Sequence, residues 1–363
     1  MAEAQQAAIS FGFIDRRVMA AVERVAGSDP DPGDPFRGLY ISDEVALRLT
    51  HGESPSDADD RLQAVVEALG LDLLEAAVLA VCAATELNPR YGRLYAYLQD
   101  DVTRKLPSPR LVGQLLEGEG LSSADVMGAF DTDGRLRRLG AVKLLGDAQT
   151  PLAERPVKVA DRLAAVLLGG RMDEPAQPTR LRLVELPAHA PGRDEAVAIV
   201  SALLKRDSHL PIVLAGPDAD SLLATAFGRP LVAVHVRDLD NREVMAEAAL
   251  IGALENRPVI FEGLEDIEPG ERGRLLRAIE QRPERTVIAA PTRTAALALG
   301  ERTVLLVEAA APSFAERRQA WADLTGTADT GDVAAKFRLS MTQIVEAAEV
   351  ARLAATARGA KVP

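Results

Sequence analysis

Between residues 181 and 308, short apolar runs rich in β-branched residues alternate with helical segments. The runs are 181–186, 211–215, 231–236, 258–261, 286–290 and 303–308; helical periodicity fills 193–205, 241–256, 270–282 and 293–299. A strand that is apolar on both faces has no side to turn to water. Helices between such strands supply the crossovers that parallel pairing needs, so the pattern predicts a parallel sheet covered on both faces. The segment 313–357 is helical throughout, with capping-box spacings at Ser313–Glu316 and Ser340–Gln343. An α/β subdomain over 181–310, a helical lid over 311–358 and a short tail over 359–363 are therefore expected.

The first half has a different period. Residues 9–26 read as an amphipathic helix through Phe13, Val18, Val22 and Val25, stopped at Gly27, so 1–27 is an N-terminal helix. SDPDPGDPFR (28–37) carries three prolines and three aspartates, and 28–60 holds nine acids against two arginines. That composition makes 28–55 an acidic Pro/Asp-rich arm with a solvated surface. From 56 to 170 the chain is mostly helical, with apolar faces at Leu62, Val65, Val66 and Leu69 and at Leu73, Leu74, Ala77, Val78 and Val81. Asn88-Pro89 and Ser108-Pro109 are helix starts, a side-chain acceptor followed by a residue with no N–H to orphan. Ser122 or Ser123 caps a further short helix. Two short apolar segments, 141–145 and 156–159, then precede a closing helix over 161–168. Helices followed by a two-stranded ribbon predict a winged-helix domain over 56–170. GGRMDEPAQPTR (169–180) supplies a linker, placed at 171–180.

Composition narrows the chemistry. The 363 residues carry a net charge of −12, which disfavours non-specific attraction to nucleic acid or to anionic membrane. One cysteine, Cys82, excludes an intrachain disulfide and a Cys-rich metal site. No apolar stretch approaches the roughly 20 residues of a membrane-spanning helix, and the N-terminus has no signal-peptide pattern. A cytoplasmic protein without membrane contact is the expectation.

A five-stranded parallel sheet followed by a small helical domain is the layout of an AAA+ module, and it directs attention to a phosphate-binding loop. Such a loop, G-x-x-x-x-G-K-[ST], needs glycines for close backbone approach, a lysine for the β- and γ-phosphates and a hydroxyl for Mg²⁺. Here the corresponding residues are Gly216, Pro217, Asp218, Ala219, Asp220 and Ser221. No second glycine stands at the needed spacing, and no lysine occurs between Lys205 and Lys336. Two aspartates would also repel a triphosphate, at about 1 kcal/mol per contact at 4 Å even in water. In the Walker-B place, Val259-Ile260-Phe261 ends in Glu262, but the next position, where a second acid would orient the attacking water, is Gly263. Glu265 and Asp266 follow one turn later, and Thr292 stands where a polar sensor residue would be.

The four histidines are scattered, with no HExxH, and neither a nucleophile elbow nor a G-x-G-x-x-G is present. No catalytic residue, metal ligand or cofactor is assigned. The helix Ser122–Phe130 has no Arg or Lys, although Arg135, Arg137 and Arg138 follow it, so sequence-specific DNA binding is not expected. In a chain with 13 aromatic residues, Tyr91, Tyr95 and Tyr97 fall within seven positions. Tyr91, Tyr95 and Leu98 share one helical face, which leaves Arg90, Arg93 and Tyr97 as a possible partner surface.

FRGLYISDEVALRL (36–49), ELNPRYGRLYAYLQDDVTRKLPSPRL (86–111), PLAERPVKVADRLAAVLLG (151–169) and KFRLSMTQIVEAAEVARLA (336–354) carry a resemblance. They resemble the N-terminal region of the AAA+ ATPases encoded with extracellular contractile injection systems, which are phage-tail-like particles. The resemblance implies a variant winged-helix domain and a degenerate first AAA+ module of P-loop NTPase fold with its lid. The family's catalytic second module would begin where this sequence stops, at Pro363, so the chain is either the N-terminal portion of a longer protein or a free-standing adaptor. The implied role is an adaptor or oligomerisation part of an ATPase that assists particle assembly or remodelling. Its implied partners are particle proteins or assembly intermediates and a hexameric ring of its own kind. An inactive clamp-loader-like subunit and a winged-helix transcription regulator are the alternatives.

Overall fold

The computed structural model describes residues 9–27, 41–118, 122–147, 149–187, 194–268, 270–280, 285–300, 303–327 and 329–358. The chain divides into two compact units, Met1–Ala176 and Gln177–Pro363.

The first unit contains α1 (Phe11–Gly27), α2 (Asp43–Thr50), α3 (Asp59–Leu69), α4 (Leu73–Leu87), α5 (Pro89–Leu98), α6 (Pro109–Leu116), α7 (Ser123–Ala129), α8 (Arg135–Arg138), β1 (Val142–Leu144), β2 (Val157–Val159) and α9 (Asp161–Leu167). Its centre is α4, in which every residue from Ala76 to Ala84 is buried. A helix apolar all round must be surrounded, and α1, α5, α6, α7 and α9 pack around it. Leu73, expected on an inward stripe, is instead exposed at the first turn, beside the capping box formed by Asp72 and Glu75. Cys82 lies within this helix, and burial pushes its thiol pKa up, so it packs rather than reacts. In α1 the buried set is Phe11, Ile14, Val18, Ala21 and Val22, and Val25 is exposed, so the inward stripe is rotated from the one expected.

Half of the expected acidic arm is not an arm. Residues 28–40 lie outside the described residues, but Asp43–Thr50 is a helix whose Ser42 side chain accepts from the Val45 N–H. Asp43 and Glu44 in its first turn face the positive end of the helix dipole, so local acidity favours the helix that composition seemed to forbid. The ribbon expected after the helices is present: β1 and β2 pair antiparallel, Val142 opposite Val159 and Leu144 opposite Val157. The buried guanidinium of Arg162 on α9 donates to the carbonyls of Met172 and Glu174 in the expected linker.

The second unit begins with β3 (Leu181–Val184), α10 (Asp194–Leu204), β4 (Ile212–Ala215), α11 (Ala219–Phe227), β5 (Leu231–His235), α12 (Arg242–Leu254) and β6 (Val259–Glu262). It continues through α13 (Arg272–Glu280), β7 (Val287–Ala290), α14 (Arg293–Ala296), β8 (Leu305–Glu308), α15 (Phe314–Thr325), α16 (Gly331–Lys336) and α17 (Met341–Ala357). The sheet has six strands in the order β3-β5-β6-β7-β4-β8. Five of them run parallel. The edge strand β3 is antiparallel to β5, Leu181 opposite Val234, and so makes the sheet mixed.

Residues alternate between two apolar faces. Ile212, Leu214, Ala233 and Ile260 meet α10 and α11 on one side. Val213, Ala215, Val234 and Phe261 meet α12, α13 and α14 on the other. The helices α15–α17 have their own small core of Trp321, Ala334, Ile344 and Ala348. Both expected capping boxes, Ser313–Glu316 and Ser340–Gln343, are formed. Among the described residues, no helix is long and apolar enough to cross a membrane.

Candidate functional site

In an open parallel sheet, ligands bind beyond the carboxyl ends of the strands. At the end of β4 the Gly216 N–H donates to the Ala290 carbonyl at 2.9 Å, and Ala309, just after β8, donates to the Ala215 carbonyl at 2.8 Å. Gly216 has φ +147, and a Cβ there would lie 2.2 Å from the Ala309 oxygen. The glycine is thus required by the close approach of β8. After Pro217, Asp218 adopts a left-handed conformation, φ 58 and ψ 28, at the N-cap position of α11. Its side chain makes no cap hydrogen bond to its own helix. The carboxylate accepts instead from the N–H groups of Met341 at 2.9 Å and Thr342 at 3.2 Å, at the start of α17. The hydroxyls of Ser221 and Thr342 lie 3.4 Å apart.

Burial alone would raise the Asp218 pKa. The Ser340 and Thr342 hydroxyls and the two N–H groups outweigh it and hold the carboxyl below the usual range. A group whose folded pKa is lowered stabilises the fold above its unfolded pKa, about 3.9 for aspartate, and loses that contribution as pH falls through the folded value. The difference in Tm between wild type and Asp218→Asn should therefore be constant from neutral pH down to about pH 4 and close in stronger acid. Thermal melts of both proteins against pH check it.

Asp220 and Glu262 are engaged by one guanidinium. Arg182 on β3 places Nη2 2.9 Å from Asp220 Oδ2 and in a short ion pair with Glu262 Oε2, while its Nε lies 3.3 Å from Glu262 Oε1. These partners hold its pKa above the usual arginine value, so the charge is permanent. Gly263 has φ +84, and a Cβ there would lie 2.2 Å from His235 Nε2. The ring of His235 occupies the space that a second acid would need, with its Nε2 3.2 Å from Asp266 Oδ2. Thr292 is the N-cap of α14, accepting from the Ala295 N–H at 3.1 Å.

The site brings together the Walker-A-place residues Gly216, Asp218, Asp220 and Ser221 and the Walker-B-place residue Glu262. Their charges are answered from within the protein, by Arg182 and by the N-terminus of α17. Among the described residues, no group of three or more His, Cys, Asp or Glu side chains is arranged to hold a metal ion. Arg182 escaped sequence reasoning because a single arginine between Leu181 and Leu183 looks like the wet side of a strand. Only the antiparallel pairing of β3 with β5, itself next to β6, brings it to Glu262.

On α5 one expectation is corrected. Arg90 is not on a partner surface; it is 7% exposed. Its Nη1 donates to the carbonyls of Leu49 at 3.2 Å, Thr50 at 3.3 Å and Gly52 at 2.7 Å, and its Nη2 to Asp15 and to the Tyr91 hydroxyl. Tyr91 in turn donates to Asp15 at 2.7 Å, and Tyr95 to the Val81 carbonyl at 2.8 Å, both phenols being fully buried. Arg93 is exposed, and Tyr97 is half-buried with its hydroxyl 2.9 Å from Asp43 Oδ1.

At α7, the Ser122 side chain caps the helix and accepts from the Asp125 N–H. Of the arginines that follow, Arg135 donates to the Gly70 carbonyl and Arg137 to the Phe130 carbonyl.

Residues 40–177 match a family model described as winged helix domain, variant. The first unit thus carries a winged-helix domain, and its boundaries reach from α2 to the end of the unit. None of the curated proteins matches the chain.

Proposed function

We propose that this chain is the winged-helix domain and a degenerate AAA+-like module of an ATPase that serves contractile, phage-tail-like injection particles, and that its own part is non-catalytic. In this reading it binds particle proteins or assembly intermediates in the cytoplasm and packs with copies of its kind into a ring. The winged-helix match supports the first half. The five parallel strands with a helical group after them support the module. The observation that carries the non-catalytic part is Arg182 spanning Asp220 and Glu262, where a lysine, a triphosphate and Mg²⁺ would have to meet. Partner capture would use exposed groups such as Arg93, not Arg90.

ATP should bind no tighter than about 1 mM, equivalent to roughly −4 kcal/mol, with no phosphate release above background. Calorimetric titration tests this, and micromolar affinity overturns it. Light scattering of the full chain without DNA tests ring packing. The winged-helix match also keeps a transcription regulator in view. That second reading requires a footprint on one preferred sequence that persists at about 200 mM salt, where non-specific contacts are largely lost.

A further inference from the structure

The helices α15–α17 form a core of their own, separate from the two cores that flank the sheet. Among the described residues, the start of α17 is tied to the turn after β4 by polar contacts. A helix leaves its first N–H groups without intrahelical partners. Here the Met341 and Thr342 N–H groups donate to Asp218, and the Gln343 N–H donates to Ser340 within the capping box. The first three donors of α17 are thus satisfied jointly, by a local serine and by a carboxylate 123 residues away in sequence.

Asp218 gives something up to do this. Aspartate is among the best N-cap residues, and Asp218 sits at the N-cap of α11, yet its side chain makes no cap hydrogen bond to that helix. It also holds a left-handed conformation that a residue with a side chain rarely adopts. Local strain kept at a turn needs a compensating interaction, and the contact of the Asp218 carboxylate with α17 supplies one.

We propose that Asp218 is a latch. Its carboxylate fixes the α15–α17 group against the carboxyl edge of the sheet without any ligand, an internal anion doing at this turn what a bound phosphate does at an open phosphate loop. The latch depends only on the Asp218 and α17 geometry, so it stands or falls separately from the particle-linked function.

The test is hydrogen exchange on the full chain, comparing wild type with Asp218→Ala, Asp218→Asn and Asp218→Gly. Asn keeps the left-handed preference without the charge, and Gly relieves the strain. Exchange at Met341–Gln343 should accelerate at least tenfold in Ala and Gly and less in Asn, and spread through α15–α17, while α12 and β5–β7 keep wild-type rates. Sodium formate at about 100 mM should slow exchange in the Gly variant, by returning a carboxylate to the emptied position, and leave wild type unchanged. Wild-type exchange rates at 341–343 in the Ala and Gly variants overturn the latch. So does uniform acceleration across the sheet in all three variants, because Asp218 would then be holding the α/β fold rather than the helical group.

Discussion

Replacing Arg90 by methionine should lower the stability of the first unit by about 3–5 kcal/mol. The guanidinium is buried and divides its donors among three carbonyls at the end of α2, the Asp15 carboxylate on α1 and the Tyr91 hydroxyl. It also lies 4.7 Å from the centroid of the Tyr91 ring. Methionine matches the volume, so the cost falls on what is left behind: Asp15, 21% exposed, with its charge partner gone, and carbonyls facing an apolar thioether. Lysine should not rescue it, because a point charge cannot serve a carboxylate and three carbonyls that a planar fork reaches together. Urea unfolding followed by near-UV tyrosine signal is the measurement, since Tyr91, Tyr95 and Tyr97 all lie in this unit. An unfolding free energy within about 1 kcal/mol of wild type would mean that water reaches Asp15 and replaces the arginine.

Gly216→Ala should cost the second unit about 2–6 kcal/mol, the sum of backbone strain and overpacking at roughly 1–3 kcal/mol each. With φ +147, alanine is strained whatever the space, and its Cβ would stand 2.2 Å from the Ala309 oxygen. Ala309 cannot retreat cheaply, because its own N–H is tied to Ala215. Relief requires the end of the β4–β8 ladder to open. Trp321 is the single tryptophan and lies in this unit, so its fluorescence during urea unfolding reports the loss directly. An unshifted midpoint would show that the β4–β8 contact is looser than its geometry. Gly263→Ala makes a useful contrast, because its close neighbour is the His235 ring, a side chain that can swing away.

Where local chemistry decides the structure, the sequence is a good guide. Asn88-Pro89, Ser108-Pro109, Ser313–Glu316 and Ser340–Gln343 all start helices as their side chains require. The apolar runs from 211 onward all become strands of one sheet. The reading fails where a partner is remote. Arg90 has the spacing of a surface residue on α5, and only the packing of α1 and α2 against that helix encloses it. Acid and proline counts over 28–60 hide α2, because they average over the Ser42 cap and the first-turn acids that favour it. At the sheet edge, the missing lysine and second acid were visible as absences, but what fills their place was not. Arg182, His235 and the start of α17 come from three other elements, and nothing in their own segments marks them.

The strand order also sets a timetable for a chain made from its N-terminus. β4, buried along its whole length, finds its neighbours only in β7 and β8. Ile212 pairs with Val287 and with Leu305, 75 and 93 residues further on. At about 5–20 residues per second, the ribosome leaves this strand without a partner for roughly 4–15 s, while β3, β5 and β6 are already able to pair. The nascent second unit is therefore half a sheet with a naked apolar strand beside it, a substrate for chaperones and for wrong pairing between neighbouring nascent chains.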